Sequence, residues 1–118
     1  MHALIIEDEA MIAALIEAYL CDMGYTSVAF AVTEEEEIAS ADRRCPDLIT
    51  SDVRLTPGSG IAAVQAICSG RPIPVVFVTA SGWEVRQRMD AALVVAKPFT
   101  ASELGRAIDA ARARSREG

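Results

Sequence analysis

The sequence predicts an α/β domain built on a parallel sheet that is covered by helices on both faces. Five short apolar segments recur along the chain, and most are followed by a stretch in which apolar residues repeat with helical spacing. This alternation is typical of parallel sheets whose crossover helices pack on both faces. A length of 118 residues suits one ordinary domain, which we place at residues 1–118. The strands are expected at residues 3–6, 26–31, 47–51, 73–79 and 93–96.

The first half of the chain predicts two helices between the first three strands. The first helix carries an apolar face at spacings of three and four residues, formed by Ile12, Leu15, Ile16, Tyr19 and Leu20. Gly24 is suited to the position just past its end. Thr33 and Glu36 form a capping box for the second helix, and the acids at 34–37 suit the positive end of its dipole. Pro46 closes this segment.

The second half predicts three more helices. The residues "TPGSG" at 56–60 indicate a loop, and the helix after it has one face formed by Ile61, Val64, Ile67 and Cys68. A short helix is expected around residues 83–90. Thr100 and Glu103 form a second capping box, which opens a last helix that buries Leu104, Ile108 and Ala111.

Composition narrows the classes of function. A net charge of −6 argues against nucleic acid as a direct partner. No apolar run approaches the ~20 residues of a membrane span, and the N-terminus lacks the pattern of a signal peptide, so we expect a cytoplasmic protein without membrane contact. The only histidine, His2, is expected at a frayed terminus. Four arginines near the C-terminus indicate a solvated helix face or a docking surface: Arg106, Arg112, Arg114 and Arg116.

The three cysteines do not indicate a metal site or a redox pair. Cys21, Cys45 and Cys68 are far apart, and no C-x-x-C spacing occurs. We therefore expect small core residues in a reducing compartment.

Polar side chains follow four of the predicted strands: Glu7 and Asp8, Asp52, Thr79, and Lys97. Because the carboxyl ends of parallel strands share one edge of the sheet, we expect these groups to form one pocket. Clustered carboxylates repel unless a cation lies among them, and hard oxygen ligands suit Mg²⁺. An Asp carboxylate can attack phosphorus as a nucleophile, with the metal and Lys97 neutralising charge on the phosphoryl group. The alternative is an acidic surface cluster paired with Lys97.

With these motifs assembled, the sequence resembles the response-regulator receiver domains of two-component signalling over nearly its whole length. The resemblance rests on "IIEDE", "LITSD", "VFVTA" and "AKPF". It implies a flavodoxin-like fold with strand order 2-1-3-4-5, and a signalling module rather than an enzyme. It also implies that a histidine kinase or phosphotransfer protein phosphorylates Asp52, which then switches the surface that binds a downstream protein or output domain.

The same resemblance implies the roles of the other site residues. Asp8 and Asp52 would bind Mg²⁺ directly, the backbone carbonyl of Arg54 would be a third ligand, and Glu7 would act directly or through water. Thr79 and Lys97 would contact the phosphoryl group, and the Lys97–Pro98 peptide is expected to be cis.

The sequence departs from the family pattern at several positions. The first acid is Glu7, where Asp is commoner. Val94 stands where most receivers have a rotating Tyr or Phe. The short interval between Thr79 and Lys97 predicts a short fourth helix. "FVTASGW" resembles a subgroup with a Phe-Ala-Thr-Gly-x-Tyr motif, although Trp83 comes one place late.

Three other classes of function fit the sequence less well. A haloacid-dehalogenase-type phosphatase needs an Asp where this chain has Arg54, and a P-loop enzyme needs a motif that is absent. The remaining alternative is a receiver-like interaction module that works without phosphorylation. Whether the domain acts alone or belongs to a longer protein stays open.

Overall fold

The computed structural model describes residues 1–53, 58–70 and 72–117. Within these residues five strands and five helices alternate, with one 3₁₀ turn at Ala91–Leu93. The elements are β1 (His2–Ile6), α1 (Ala10–Asp22), β2 (Ser27–Ala31), α2 (Glu34–Arg43), β3 (Leu48–Ser51), α3 (Gly58–Ile67), β4 (Val75–Thr79), α4 (Gly82–Arg86), β5 (Val94–Ala96) and α5 (Ala101–Glu117).

The five strands form one parallel sheet in the order β2-β1-β3-β4-β5, which confirms the expected topology. Alternate residues of the central strand β1 point to opposite faces. Ala3 and Ile5 join a cluster with α1 and α5, whereas Leu4 and Ile6 join a second cluster with α2 and α3. The sheet is therefore buried on both faces, as near-continuous apolar strands require.

The two capping boxes predicted from the sequence are present as hydrogen bonds. The Glu36 backbone N–H donates to Thr33 Oγ1, and the Thr33 N–H donates to Glu36 Oε1. The backbone N–H groups of Val32 and Thr33 both donate to the Glu36 carboxylate, favour its charged form and lower the pKa of Glu36. Thr100 and Glu103 make the same reciprocal pair at the start of α5. Gly24 adopts a φ of +101° just beyond α1, a conformation that side chains other than glycine rarely adopt.

Some predictions of burial and extent were wrong. Leu15 and Ile67 are exposed, because each lies at the margin of its helix face. The "TPGSG" segment is not all loop, since Gly58 already belongs to α3, while its residues 56–57 lie outside the described part of the chain. Four predicted strands started one or two residues too early, for example at residue 73 before β4, whereas β1 begins at His2, one residue before its predicted start.

His2 is a buried strand residue rather than part of a frayed end. Its Nδ1 lies 2.8 Å from Ser27 Oγ, and its backbone N–H donates to Asp47 Oδ2 at 2.7 Å. Burial, together with the nearby positive charge of Arg44, lowers the pKa of His2. Contacts with residues distant in sequence therefore hold the start of β1 in place.

The prediction for the cysteines was wrong in part: Cys68 is buried in the core, as expected, but it is bonded to another cysteine. Cys45, after α2, and Cys68, at the end of α3, form a disulfide with their Cα atoms 5.7 Å apart. Cys21 is exposed and is not a core residue. Packing of α2 against α3 brings the pair together, which sequence spacing alone does not indicate.

The described chain contains no helix that is both long enough and apolar enough to cross a membrane.

Candidate functional site

Backbone hydrogen bonds fix the residues that follow β1, β3 and β5 at one edge of the sheet. The register pairs Ile6 with Ser51, so the next residues on these strands emerge side by side. The Asp52 N–H donates to the Ile6 carbonyl at 3.0 Å, and the Lys97 N–H donates to the Thr79 carbonyl at 3.0 Å. The pairing of the sheet thus continues one residue beyond the strands, into the polar groups themselves.

Most of these polar groups are buried. Asp52 is 1% exposed, Glu7 is 5% exposed and Thr79 is fully buried, whereas Asp8 is open to solvent. Buried carboxylates are costly unless they are paired or bind a metal. The burial of Glu7 and Asp52 therefore requires a cation in the same place.

Lys97 provides that cation. Its Nζ lies 2.8 Å from Glu7 Oε1, 3.2 Å from Glu9 Oε2 and 3.3 Å from Asp52 Oδ2. Burial disfavours the ammonium, but the hydrogen bonds to Glu7 and Glu9 and the charges of Glu7 and Asp52 outweigh it and raise the pKa of Lys97. The ammonium is therefore held in its charged form beside Asp52.

The acids also form a set that fits a hard divalent cation. Glu7, Asp8 and Asp52 each offer one carboxylate oxygen, and these oxygens lie within 4.8 Å of one another. Oxygen donors with one side open to water are what Mg²⁺ uses when it keeps several waters. The backbone carbonyl expected of Arg54 lies outside the described residues.

Thr79 lies at the end of β4, beside β3. Its Oγ1 accepts a hydrogen bond from the Ser81 backbone N–H at 3.2 Å. A hydroxyl that accepts in this way keeps its own proton to donate. Thr79 is therefore a buried donor at the same sheet edge as Asp52.

The segment after Thr79 is short and closely packed at one point. α4 has five residues, as the short interval between Thr79 and Lys97 predicted. A Cβ on Gly82 would lie 2.6 Å from the Cβ of Ala96, so glycine allows α4 to touch β5. Trp83 is 72% exposed, and Val94 is buried on β5. The Lys97–Pro98 peptide is cis, as expected.

The structure brings all the predicted site residues that it describes to one edge and adds one that the sequence reasoning missed. Glu9 contacts Lys97 from the start of α1. The only signal in the sequence is a third acid directly after the acid pair in "IIEDE", and a solvated helix terminus would have the same composition.

Comparison with known families identifies the family of the fold. The sequence model of the response regulator receiver domain matches residues 3–109. The chain belongs to this family.

Two regulators illustrate the similarity to known proteins. The chain is 36% identical over 113 residues to the phyllosphere-induced regulator PhyR of Methylorubrum extorquens, covering 92% of this chain and 42% of PhyR. It is 36% identical over 120 residues to the transcriptional regulatory protein PdtaR of Mycobacterium tuberculosis, covering 98% of this chain and 58% of PdtaR. The chain thus spans about half the length of these relatives.

Solved structures support the same assignment. PhyR from Brucella abortus superposes with a TM-score of 0.74 at 32% identity, covering 98% of this chain and 49% of that one. The receiver domain of a sensor histidine kinase from Pseudomonas aeruginosa superposes with a TM-score of 0.72 at 28% identity, covering 95% and 97%. That domain was crystallised with a magnesium ion coordinated in its active-site cleft.

Proposed function

We propose that this chain is the phosphoacceptor receiver domain of a two-component system, and that Asp52 accepts the phosphoryl group. One observation carries the proposal: Asp52 is almost fully buried, yet it faces Lys97 and two further carboxylates at the open end of the sheet. A structural ion pair needs one carboxylate for one ammonium. Among the described residues the pocket has more carboxylates than cations, and such a surplus of negative charge is what a metal-assisted phosphoryl transfer site requires.

The chemistry assigned to each residue follows from its position. An Asp52 carboxylate oxygen attacks phosphorus, forming an O–P bond as the P–N bond of a phosphohistidine donor breaks. Lys97 and the Thr79 hydroxyl stabilise the phosphoryl oxygens by charge and hydrogen bonding. When bound by Glu7, Asp8, Asp52 and the Arg54 carbonyl, Mg²⁺ supplies further positive charge.

The partners we propose are proteins. The phosphodonor is a histidine kinase or phosphotransfer protein, and the product is a signal rather than a released metabolite, so the domain turns over no separate substrate. PhyR of Bartonella quintana is an anti-anti-sigma factor, a regulator that acts by protein contact. By analogy, the phosphorylated domain of residues 1–118 binds a downstream protein or an output domain.

We place this function in the cytoplasm, where ATP supplies the kinase. A reducing compartment would open the Cys45–Cys68 disulfide. Titration of thiols in protein trapped directly from cells distinguishes the two states, because the reduced chain has three free thiols and the oxidised chain has one, Cys21.

The test is labelling by a small phosphodonor in the presence of Mg²⁺. The intact mass of the wild type should rise by one phosphoryl group, and Asp52→Asn should show no gain. Asp42→Asn is the matched control, because Asp42 is an exposed Asp on α2, away from the pocket, and should label fully. Unchanged labelling of Asp52→Asn would reject the assignment, and absence of labelling in the wild type would favour a phosphorylation-independent interaction module.

A further inference from the structure

In this structure three carboxylates share the ammonium of Lys97. A lysine ammonium has three N–H donors, and Lys97 lies within ion-pair distance of three carboxylates, those of Glu7, Glu9 and Asp52. If Asp52 is the phosphoacceptor, a phosphoryl oxygen needs one of these donors. A phosphoryl oxygen must therefore compete with the present partners of Lys97 for the ammonium.

The three carboxylates differ in the free energy that it costs to separate each of them from Lys97. The side chains of Glu7 and Asp52 are 1% and 0% exposed, so water cannot readily replace the ammonium beside either carboxylate. The side chain of Glu9 is 56% exposed, and water can replace the ammonium there at little cost. Glu9 is also outside the set of carboxylates that can hold a cation, whereas Glu7 and Asp52 belong to it.

We propose that Glu9 is a positioning residue that holds Lys97 in the unphosphorylated pocket and releases it to the phosphoryl group. This inference rests on the proposed function. As the phosphoryl group passes from the donor nitrogen to Asp52, one N–H of Lys97 exchanges its acceptor from Glu9 Oε2 to a phosphoryl oxygen. No proton is transferred in this step, and water solvates the Glu9 carboxylate. Glu9 thus slows phosphorylation by competing for the ammonium.

Two substitutions separate the contact from the charge. Glu9→Gln removes the charge and weakens the contact. Glu9→Asp keeps the charge but shortens the side chain. Glu9 occupies the N-cap position of α1 without a side-chain cap, and Asp at that position accepts a bond from the backbone N–H groups of the first turn. Both changes should therefore free Lys97. Glu17→Gln is the control for charge alone, because Glu17 lines the same groove as Glu7 and Asp8 from the next turns of α1.

The first measurement needs no phosphodonor. Lys97 is the only lysine in the chain, so protein labelled with ¹⁵N-lysine gives one ammonium signal. We expect hydrogen exchange of this ammonium with water to rise about two- to fourfold in Glu9→Gln and Glu9→Asp, the scale of an ion pair with an exposed partner. Glu17→Gln should match the wild type. Unchanged exchange in both Glu9 variants would overturn the proposal.

The second measurement is the rate of labelling by a small phosphodonor at saturating Mg²⁺. Both Glu9 variants should be labelled about two- to fourfold faster than the wild type, and Glu17→Gln at the wild-type rate. Equal acceleration in Glu17→Gln, or a wild-type rate in Glu9→Asp, would show an effect of charge alone and overturn the positioning role. If the wild type is not labelled, the phosphoacceptor proposal itself fails, while the ammonium signal still reports whether Glu9 holds Lys97.

Discussion

The two sides of the pocket are built differently. On the acid side, which comprises the residues after β1 and β3, every residue of both strands is buried, and each strand is paired on both edges. The α4 side, residues 79–96, has a three-residue edge strand, β5, and a five-residue helix with an exposed tryptophan. The acid side therefore has much more packing behind it than the α4 side.

This difference assigns separate tasks to the two sides. Groups that must meet phosphorus and a metal within tenths of an ångström need a rigid support, which the acid side supplies. A segment that reports a new charge must have two arrangements of similar free energy, and regions with few buried contacts open at low cost. We therefore expect substitutions on the acid side to change chemistry, and those on the α4 side to change stability and local motion.

The largest effect is expected for the metal ligands of the acid side. Asp8→Asn should weaken Mg²⁺ binding at least about tenfold, since even residues that only orient a ligand cost that much. Glu7→Gln should weaken it less, because the Glu7 carboxylate is already engaged by Lys97. Calorimetric titration with MgCl₂ measures both. Equal Mg²⁺ affinities in the wild type and both variants would contradict the proposed metal site.

A second effect is expected where α4 meets β5. In Gly82→Ala the new Cβ would lie 2.6 Å from Ala96 Cβ and 3.0 Å from its Cα, so the backbone must shift. Overpacking of this kind costs roughly 1–3 kcal/mol in the free energy of unfolding. Unfolding in urea measures this loss of stability.

The matched control is Gly105→Ala in the middle of α5. There the new Cβ would meet only Met23 Cε, at an ordinary 3.5 Å. A glycine in a helix is less favourable than alanine, so we expect this variant to gain about 0.5–1 kcal/mol. If Gly82→Ala gained stability as well, the close contact between α4 and β5 would not be a constraint.

The strands and caps could be predicted because their signals are local. A polar residue directly after an apolar run marks the carboxyl end of a strand, and this placed Asp52 and Thr79 correctly. Thr33 and Glu36 cap α2 with atoms three residues apart, so the sequence alone contains both partners.

The features that were missed depend on residues that meet only in the folded chain. His2 is fixed by Ser27 and Asp47, and Glu9 reaches Lys97 across 88 positions of sequence. No spacing rule relates such residues. Local patterns therefore specify which residues reach the pocket, but not which of them pair there.

The last effect concerns how a new charge at Asp52 reaches the surface. In most receivers an aromatic residue on the last strand turns inward. Val94 has a short branched side chain with few rotamers and is buried, so it cannot make that movement. Thr79 accepts from the Ser81 N–H, and this bond joins the pocket directly to the start of α4. A movement of Thr79 toward a phosphoryl oxygen should therefore pull on residues 80–90 before it affects β5.

Amide hydrogen exchange with and without the phosphoryl mimic beryllofluoride compares the two segments. We expect exchange in residues 80–90 to change up to about tenfold, which corresponds to about 1.4 kcal/mol in the free energy of local opening. Exchange in β5 should change less, because Val94 and Val95 are buried. Trp83 is exposed on α4, and its fluorescence should change in parallel. A change in β5 without one in residues 80–90 would show that the signal crosses the sheet after all, and the two sides of the pocket would then respond as one unit.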